Sequence, residues 1–504
     1  MFSCCSPAAL APLGEVILVV DTDAPLALVT TLRIDIYSEE GKWLESREFN
    51  RIDAHSWPTS FSVFSPEPGQ ERRALVRLRV FPSGRVRDYR GERFEPAPLG
   101  RAPGELVPPA PPTDGPRILR ADGRDGTPRY EPQPTATIDR LLAVRVPASH
   151  KHGARVVLRG SCFGTMADLL GRATCVDREG RREPVVQAQL QDHPLPDAPS
   201  ELGTFGAAGP CTAPRREASL DARGRPLFDE EVCVPGGAFL FGDIANGGSA
   251  TGFDGHPERV VVLPSFRMDR YEFTVGRALL STRSRRAVGV NSGPVRPLKS
   301  TEKSFIPMCT ANPDRSRDKY PVNCVPWETA RLFCKEDWGG DLPTEAEWEY
   351  AALVSGRARK SRYVWGGDDG ARIPCETSVH GRDGGACEDL GFGPEPVDSE
   401  ANSADATPGL GIIGLGGSLI EYVQDDARSL SSACWLSAPL FRPSCTGDDK
   451  ARVMTRGGGW DLSELNIAPS FRRGFLRLPN AASNVSAPLH SVGFRCVRPG
   501  SEGP

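Results

Sequence analysis

The chain has 504 residues, enough for two or more domains with full cores. Its 61 Lys and Arg against 65 Asp and Glu leave a formal net charge of −4, which removes any electrostatic reason to expect nucleic acid or an anionic membrane surface as partner. Gly at 53, Pro at 47 and only 5 Met favour short strands, turns and ordered loops.

The chain opens with MFSCCSPAALAPLGEV, which lacks the charged and apolar regions of a secretory leader, and no later stretch is apolar for long enough to span a bilayer. The 14 cysteines, an even number without a CxxC pair, argue against a zinc ribbon or a thioredoxin-type site and for disulfides in an oxidising compartment. The expectation is therefore an extracytoplasmic protein, in the cell envelope or secreted, whose true start lies upstream. Cys4 or Cys5 would be the remnant of a bacterial lipoprotein acylation site and the only link to a membrane.

Residues 14–185 predict a β-sandwich-like N-terminal domain. EVILVVDT, TLRIDIYS and ALVRLRVFP are short, rich in Val, Ile and Leu, and bounded by Asp, Gly and Pro. A Pro-rich excursion at about 95–134 interrupts them, and TIDRLLAVRVP, ARVVLRGSCFG and TCVD resume the strands. His150 and His152 in SHKHGA are read as a polar loop, because a histidine pair without a third ligand seldom makes a metal site. Residues 186–230 lack periodicity and read as a linker.

The third region, 231–498, is organised around PVNCVPWETARLFCKEDWGGDLPTEAEWEYAA at 321–352. Trp327, Ala330, Phe333 and Cys334 recur at helical spacing, and Gly339 with Gly340 stops the helix. Thr344 as N-cap with Glu347 three residues later predicts a capping box, followed by a buried stripe of Trp348, Ala351 and Ala352. STRSRRAVGVNSGPVRPLKSTEK, from Ser281, reads as a basic surface loop, since aromatic residues for stacking on nucleobases are absent. GLGIIGLGG, from Gly409, lacks the Lys-Ser/Thr ending of a phosphate loop and reads as a turn-rich core segment. Five cysteine pairs are neighbours along the chain: Cys162 with Cys175, Cys211 with Cys233, Cys309 with Cys324, Cys375 with Cys387, and Cys434 with Cys445. Sequence alone leaves their connectivity open.

LPTEAEWEYAA preceded by PVNCVPWETARLFC closely resembles the signature of the formylglycine-generating-enzyme family, also called the sulfatase-modifying-factor domain. VPGGAFLFGD, FRMDRYEFTVGRA, YVWGGD, GLGIIGLGGSLIEY, RVMTRGGGW and VGFRCVR resemble its further motifs in order. The resemblance covers about half of the chain. It implies a variant C-type-lectin-like fold for 231–498, so that with the β-sandwich read from the N-terminal strands the expected architecture is α+β, and it implies a bridge between Cys334 and Cys496.

Enzymes of this family oxidise a sulfatase cysteine to formylglycine with oxygen and a copper(I) ion held by two thiolates, a ligand set suited to a soft ion. Laying GGGWDLSELNI over the family's motif puts Leu462 and Ile467 where those thiols stand, so copper is not expected. A related branch uses iron bound by histidines. Here His256, His380 and His490 each stand alone in the family region, so iron is not expected either. Many members carry structural calcium, and Asp389 and Glu421 resemble two of its ligands, although Ser418 replaces an Asn of the second site.

Two readings of function follow. In the first, the chain is a pseudoenzyme with a binding or structural role, its partner a protein or glycan at the cell surface. Trp435 and Phe441 in CWLSAPLFRPSC would be displayed on a cysteine-tied interaction loop. In the second, it is an oxidoreductase or other enzyme using different residues of the same groove, with Arg472, Arg473, Arg477 and Glu464 orienting an anionic substrate.

Overall fold

The computed structural model describes residues 13–65, 67–88, 94–95, 130–207, 209–242, 255–281, 309–311, 314–357, 359–366, 373–447, 452–463, 473–476 and 490–501. The chain is mixed α/β, rich in sheet with few helices, and divides into two units, Met1–Ala207 and Ala208–Pro504. No helix among the described residues is long and apolar enough to cross a membrane.

The first unit is built on two four-stranded sheets. In one, Glu15–Thr22 lies between Thr59–Phe64 and Lys151–Leu158, and Gln191–Asp192 pairs at the far edge. In the other, Trp43–Asn50, Thr31–Ser38, Arg72–Phe81 and Ile138–Val146 run antiparallel in that order. Alternation in EVILVVDT turns Val16, Leu18 and Val20 into the core, as side chains on a pleated strand must.

TLRIDIYS differs, because nearly every one of its residues is buried. One face carries Leu32, Ile34 and Ile36; the other carries Tyr37, packed with Leu75 and Leu141, and Arg33 and Asp35, which are buried because charges meet charges there. Arg79 pairs with Asp35 and Glu131, and Arg77 grips Asp139 with Nε at 2.9 and 3.1 Å from its two oxygens. The His150–His152 stretch is not the loop expected. Lys151 begins a strand, His152 pairs in register with Val16, and only His150 lies outside it, at φ 74°.

The stretch expected as a linker is divided between the units. Residues up to 207 belong to the first, and from 208 the chain joins the second, tied by Cys211–Cys233 and by Arg216 to Glu231 and Asp269. Its sheets are short: Glu231–Val234, Phe266–Asp269 and Val497–Pro499 form one, and Gly237–Phe241 pairs with Arg259–Leu263. The largest orders Arg473–Leu476, Arg452–Arg456, Ile420–Asp426 and Val492–Gly493.

The two helices of the central segment form where the spacing put them. Trp327–Leu332 runs on into a wider turn over Phe333–Asp337, and Gly339 then takes the left-handed φ of 69° that ends it. Glu345–Leu353 begins at a complete capping box: Thr344 Oγ1 accepts from the Glu347 amide at 3.2 Å, and Glu347 Oε2 accepts from the Thr344 amide at 2.8 Å. This helix is buried on every side rather than along one stripe, Glu345, Glu347 and Glu349 included. Among the described residues there are six disulfides, Cys162–Cys175, Cys211–Cys233, Cys309–Cys324, Cys334–Cys496, Cys375–Cys387 and Cys434–Cys445, and they point to an oxidising, extracytoplasmic environment.

Candidate functional site

The segment that carries Leu462 leaves the sheet after Arg456. Gly457 turns it at φ 86°, where a Cβ would lie 2.9 Å from the Leu415 carbonyl and 3.1 Å from the Trp348 ring. Trp460 then drops fully into the core against Val379, Ala401, Leu419 and Phe392, with the Phe392 ring edge-on at 4.6 Å. Three backbone bonds fix the segment: Trp460 donates to Ser418 at 2.8 Å, Gly381 donates to Leu462 at 2.8 Å, and Arg382 donates to Trp460 at 2.8 Å.

Leu462 itself is partly buried against Tyr363 and Ile373, beside Trp365, whose ring stacks on Tyr363 at 5.3 Å. A leucine has no donor atom for copper(I), so the residue at this position does not fit the ion. Ile467, Glu464, Arg472 and Arg477 lie outside the described residues, as do Cys4 and Cys5, and of Arg473 only the strand backbone is described. The expected basic loop beyond Ser281, up to Lys303, also lies outside them.

Behind this segment lies a set of buried charges that sequence reasoning missed. Arg495 holds Glu421 through Nε at 2.8 and 2.9 Å and Nη2 at 2.6 Å, and also donates to the carbonyls of Asp269 and Ile413. Trp348 Nε1 adds a bond to Glu421 at 2.7 Å. Glu272 accepts from the Leu419 amide at 2.9 Å, and Asp405 accepts from the amides of Gly416 and Gly417, both at 2.8 Å. Burial drives the Glu272 carboxyl well above its ordinary range, and the Glu421 charge adds to the rise. Burial also carries Asp405 up to about 7, although the two glycine amides favour its charged form. Arg456, 5.7 Å from the Trp348 ring centroid, bridges Glu345 at 3.2 Å and Glu349 at 2.6 Å.

The two residues expected to bind calcium stand in different settings. Asp389 is exposed, on the single turn Glu388–Leu390, whereas Glu421 is fully buried with its carboxylate committed to Arg495 and Trp348. Among the described residues no group of three or more His, Cys, Asp or Glu is placed to hold a metal ion.

The cysteine-tied loop needs a correction at Trp435. This side chain is 0% exposed and packs on Phe241 at 5.2 Å, within the main core of the unit. The reason is local: the loop forms a helix, Ala433–Ser437, that turns Trp435 inward, and Arg259 reaches across to the carbonyls of Trp435 and Ala438 at its end. Phe441 is 54% exposed and Leu436 55%. Their loop is anchored, since Val262 donates to Leu440 and accepts from Arg442, both at 2.9 Å.

The chain is similar to known proteins. The profile of the sulfatase-modifying factor enzyme 1-like domain matches residues 217–499. The formylglycine-generating enzyme of Streptomyces coelicolor is 29% identical over 188 residues, 36% of this chain and 53% of that protein. The inactive C-alpha-formylglycine-generating enzyme 2 of Bos taurus is 28% identical over 194 residues, 36% of this chain and 52% of its own length. The chain thus spans about half the length of the curated relatives it matches. Among solved structures, PvdO from Pseudomonas aeruginosa aligns over 57% of this chain and 100% of its own, with 19% identity and a TM-score of 0.39.

Proposed function

The chain belongs to the sulfatase-modifying factor enzyme 1-like family, and from that membership we propose that it is a non-catalytic member, a binding or structural protein of the bacterial cell envelope. The observation that carries the reading is Leu462: an aliphatic side chain packed among Tyr363, Trp365 and Ile373 stands where the resemblance puts a copper-binding thiol. Every described cysteine is already in a disulfide, so none supplies a free thiolate in its place. A relative described as inactive supports the reading by analogy.

On this reading the first unit is a β-sandwich, the second has the variant C-type-lectin-like fold, and a lipid at Cys4 or Cys5 holds the chain at the membrane. Its partner is a cell-surface protein or glycan, met by the anchored loop that carries Leu436 and Phe441. The test is to titrate the full chain with copper(I) without oxygen, then to add oxygen and a cysteine-containing sulfatase peptide. The expected result is no tight binding and no change in peptide mass. Tight binding with the mass loss of formylglycine would overturn the proposal.

A further inference from the structure

We propose that the first unit carries a saccharide site, a cavity between two strand-connecting turns that takes a neutral hexopyranose ring. The cavity measures about 540 Å³. One wall is the turn that follows the strand Thr31–Ser38, and the other is the turn that leads into the strand Arg72–Phe81. The volume falls within the ~300–1,000 Å³ of small-molecule sites, room for a sugar ring and its neighbour.

Both walls are held in place by their own side chains. In the first, Ser38 Oγ accepts from the Lys42 amide at 3.3 Å and donates to Glu40 at 2.7 Å, and Arg172 reaches the Glu39 carbonyl at 2.5 Å. Gly41 closes that turn at φ 84°, its amide donating to the Ser38 carbonyl at 2.9 Å. In the second, the buried Ser65 hydroxyl donates to the carbonyls of Glu67 at 3.1 Å and Gln70 at 2.7 Å. A site formed in advance has less ordering entropy to lose when a ligand enters.

The charges that line the cavity are matched. Arg73 donates to Glu39 at 3.3 Å, and Arg145 donates to Glu71 at 2.5 Å. The bonds from Arg145 and Ser38 hold the carboxyls of Glu71 and Glu40 below their ordinary range, so both stay acceptors well into acid. Arg72 donates to the Phe64 carbonyl at 3.2 Å through one nitrogen of its fork. A charged ligand would break such pairs and leave one partner unmatched. A hydroxyl does not, because it donates to a carboxylate and accepts from a guanidinium at once, and a pyranose presents several hydroxyls side by side. Exposed pairs contribute little to stability, so an ionic partner is readily exchanged for a hydroxyl. Leu44 and the alkyl stems of Arg72 and Arg73 supply apolar contact for the C–H face of the ring. This site belongs to the first unit and does not depend on the role proposed for the second.

The test titrates the full chain with the methyl glycosides of glucose, galactose, mannose and N-acetylglucosamine, and with their uronic-acid and amino-sugar counterparts. Saturation-transfer NMR reads binding and hydrogen exchange reads its place. At least one neutral glycoside should bind with a Kd on the order of 1 mM, protect the turns at Ser38–Leu44 and Ser65–Arg73, and keep its affinity in added salt. Its charged counterparts should bind at least about tenfold more weakly, and so should the neutral glycoside to Arg73→Ala, the scale of a lost charge-assisted hydrogen bond. The Arg73 side chain is 58% exposed, so the variant should keep the wild-type denaturant midpoint. Retained affinity for the same sugar at the end of an oligosaccharide assigns the ligand to a glycan chain, and lost affinity assigns it to the free sugar; either upholds the site. No binding of any neutral glycoside up to about 10 mM, protection away from the two turns, tighter binding of a charged counterpart, or wild-type affinity in Arg73→Ala would each overturn the proposal.

Discussion

Each unit buries a cluster of charges, and the two clusters are balanced differently. In the first unit Arg33, Arg77 and Arg79 face Asp35, Glu131 and Asp139, one guanidinium for each carboxylate. Burial pushes the Asp35 carboxyl up, but the charges of Arg79 and Arg33 more than reverse this, and it ends below its ordinary value. In the second unit Glu272, Asp405 and Glu421 share the neighbourhood of one Arg495, and the first two end above their ordinary values. A matched cluster holds its carboxylates charged; an unmatched one holds some of them protonated.

The largest effect should come from removing the hub of either cluster. Arg495→Met leaves Glu421 buried without its guanidinium and should cost the second unit about 3–5 kcal/mol, read from the denaturant midpoint of that unit's transition. Arg79→Met should cost the first unit a similar amount, because it leaves Asp35 and Glu131 to share Arg33 alone. Trp435→Ala gives an apolar standard within the second unit, at about 3–5 kcal/mol for a fully buried indole. A surface role for Trp435 would instead leave the midpoint unmoved.

The pH response should separate the clusters more sharply. Asp405 has a folded value of about 7 against 3.8, so its contribution to stability is fully present below about pH 4 and is lost as pH rises through 7. Asp35 has the opposite sign: its contribution is present above 3.8 and is lost as pH falls through its lower folded value. Asp405→Asn should flatten the stability of the second unit between pH 4 and 7, by an amount on the order of 2–4 kcal/mol at the upper end. Thermal scans at each pH, with hydrogen exchange to assign the transitions, check both signs. An unchanged slope in the variant would assign the proton elsewhere.

The buried charges of the Glu345–Leu353 helix were invisible in the sequence for a physical reason. Glutamates in the first turns of a helix are expected on a solvated N-terminus, and the partners that let Glu345 and Glu349 be buried, Arg456 and Lys360, are separated from them in sequence and give no periodic signal. What was legible was local. The capping box is a four-residue pattern, and five of the disulfides join cysteines no more than 22 residues apart. The sixth, Cys334–Cys496, came only through family resemblance. His380 and Cys387 meet because the loop folds on Gly381, at φ 61°, and spacing alone does not announce that contact.

The smallest expected effect is at Phe441. Apolar residues in a short cysteine-tied loop carry no period that separates inside from outside, which is why Trp435 and Phe441 looked alike in the sequence and differ in the fold. Phe441 is more than half exposed on a loop held by backbone bonds to Val262, so Phe441→Ala should move stability by no more than about 0.5 kcal/mol. If this loop meets the partner, the same substitution should weaken binding by 1 kcal/mol or roughly more, the mark of an interface anchor, in a surface-binding assay on cells. Unchanged binding with unchanged stability would remove the loop from the contact surface. A loss of stability as large as that of Trp435→Ala would mean that the phenyl ring, like the indole, is core.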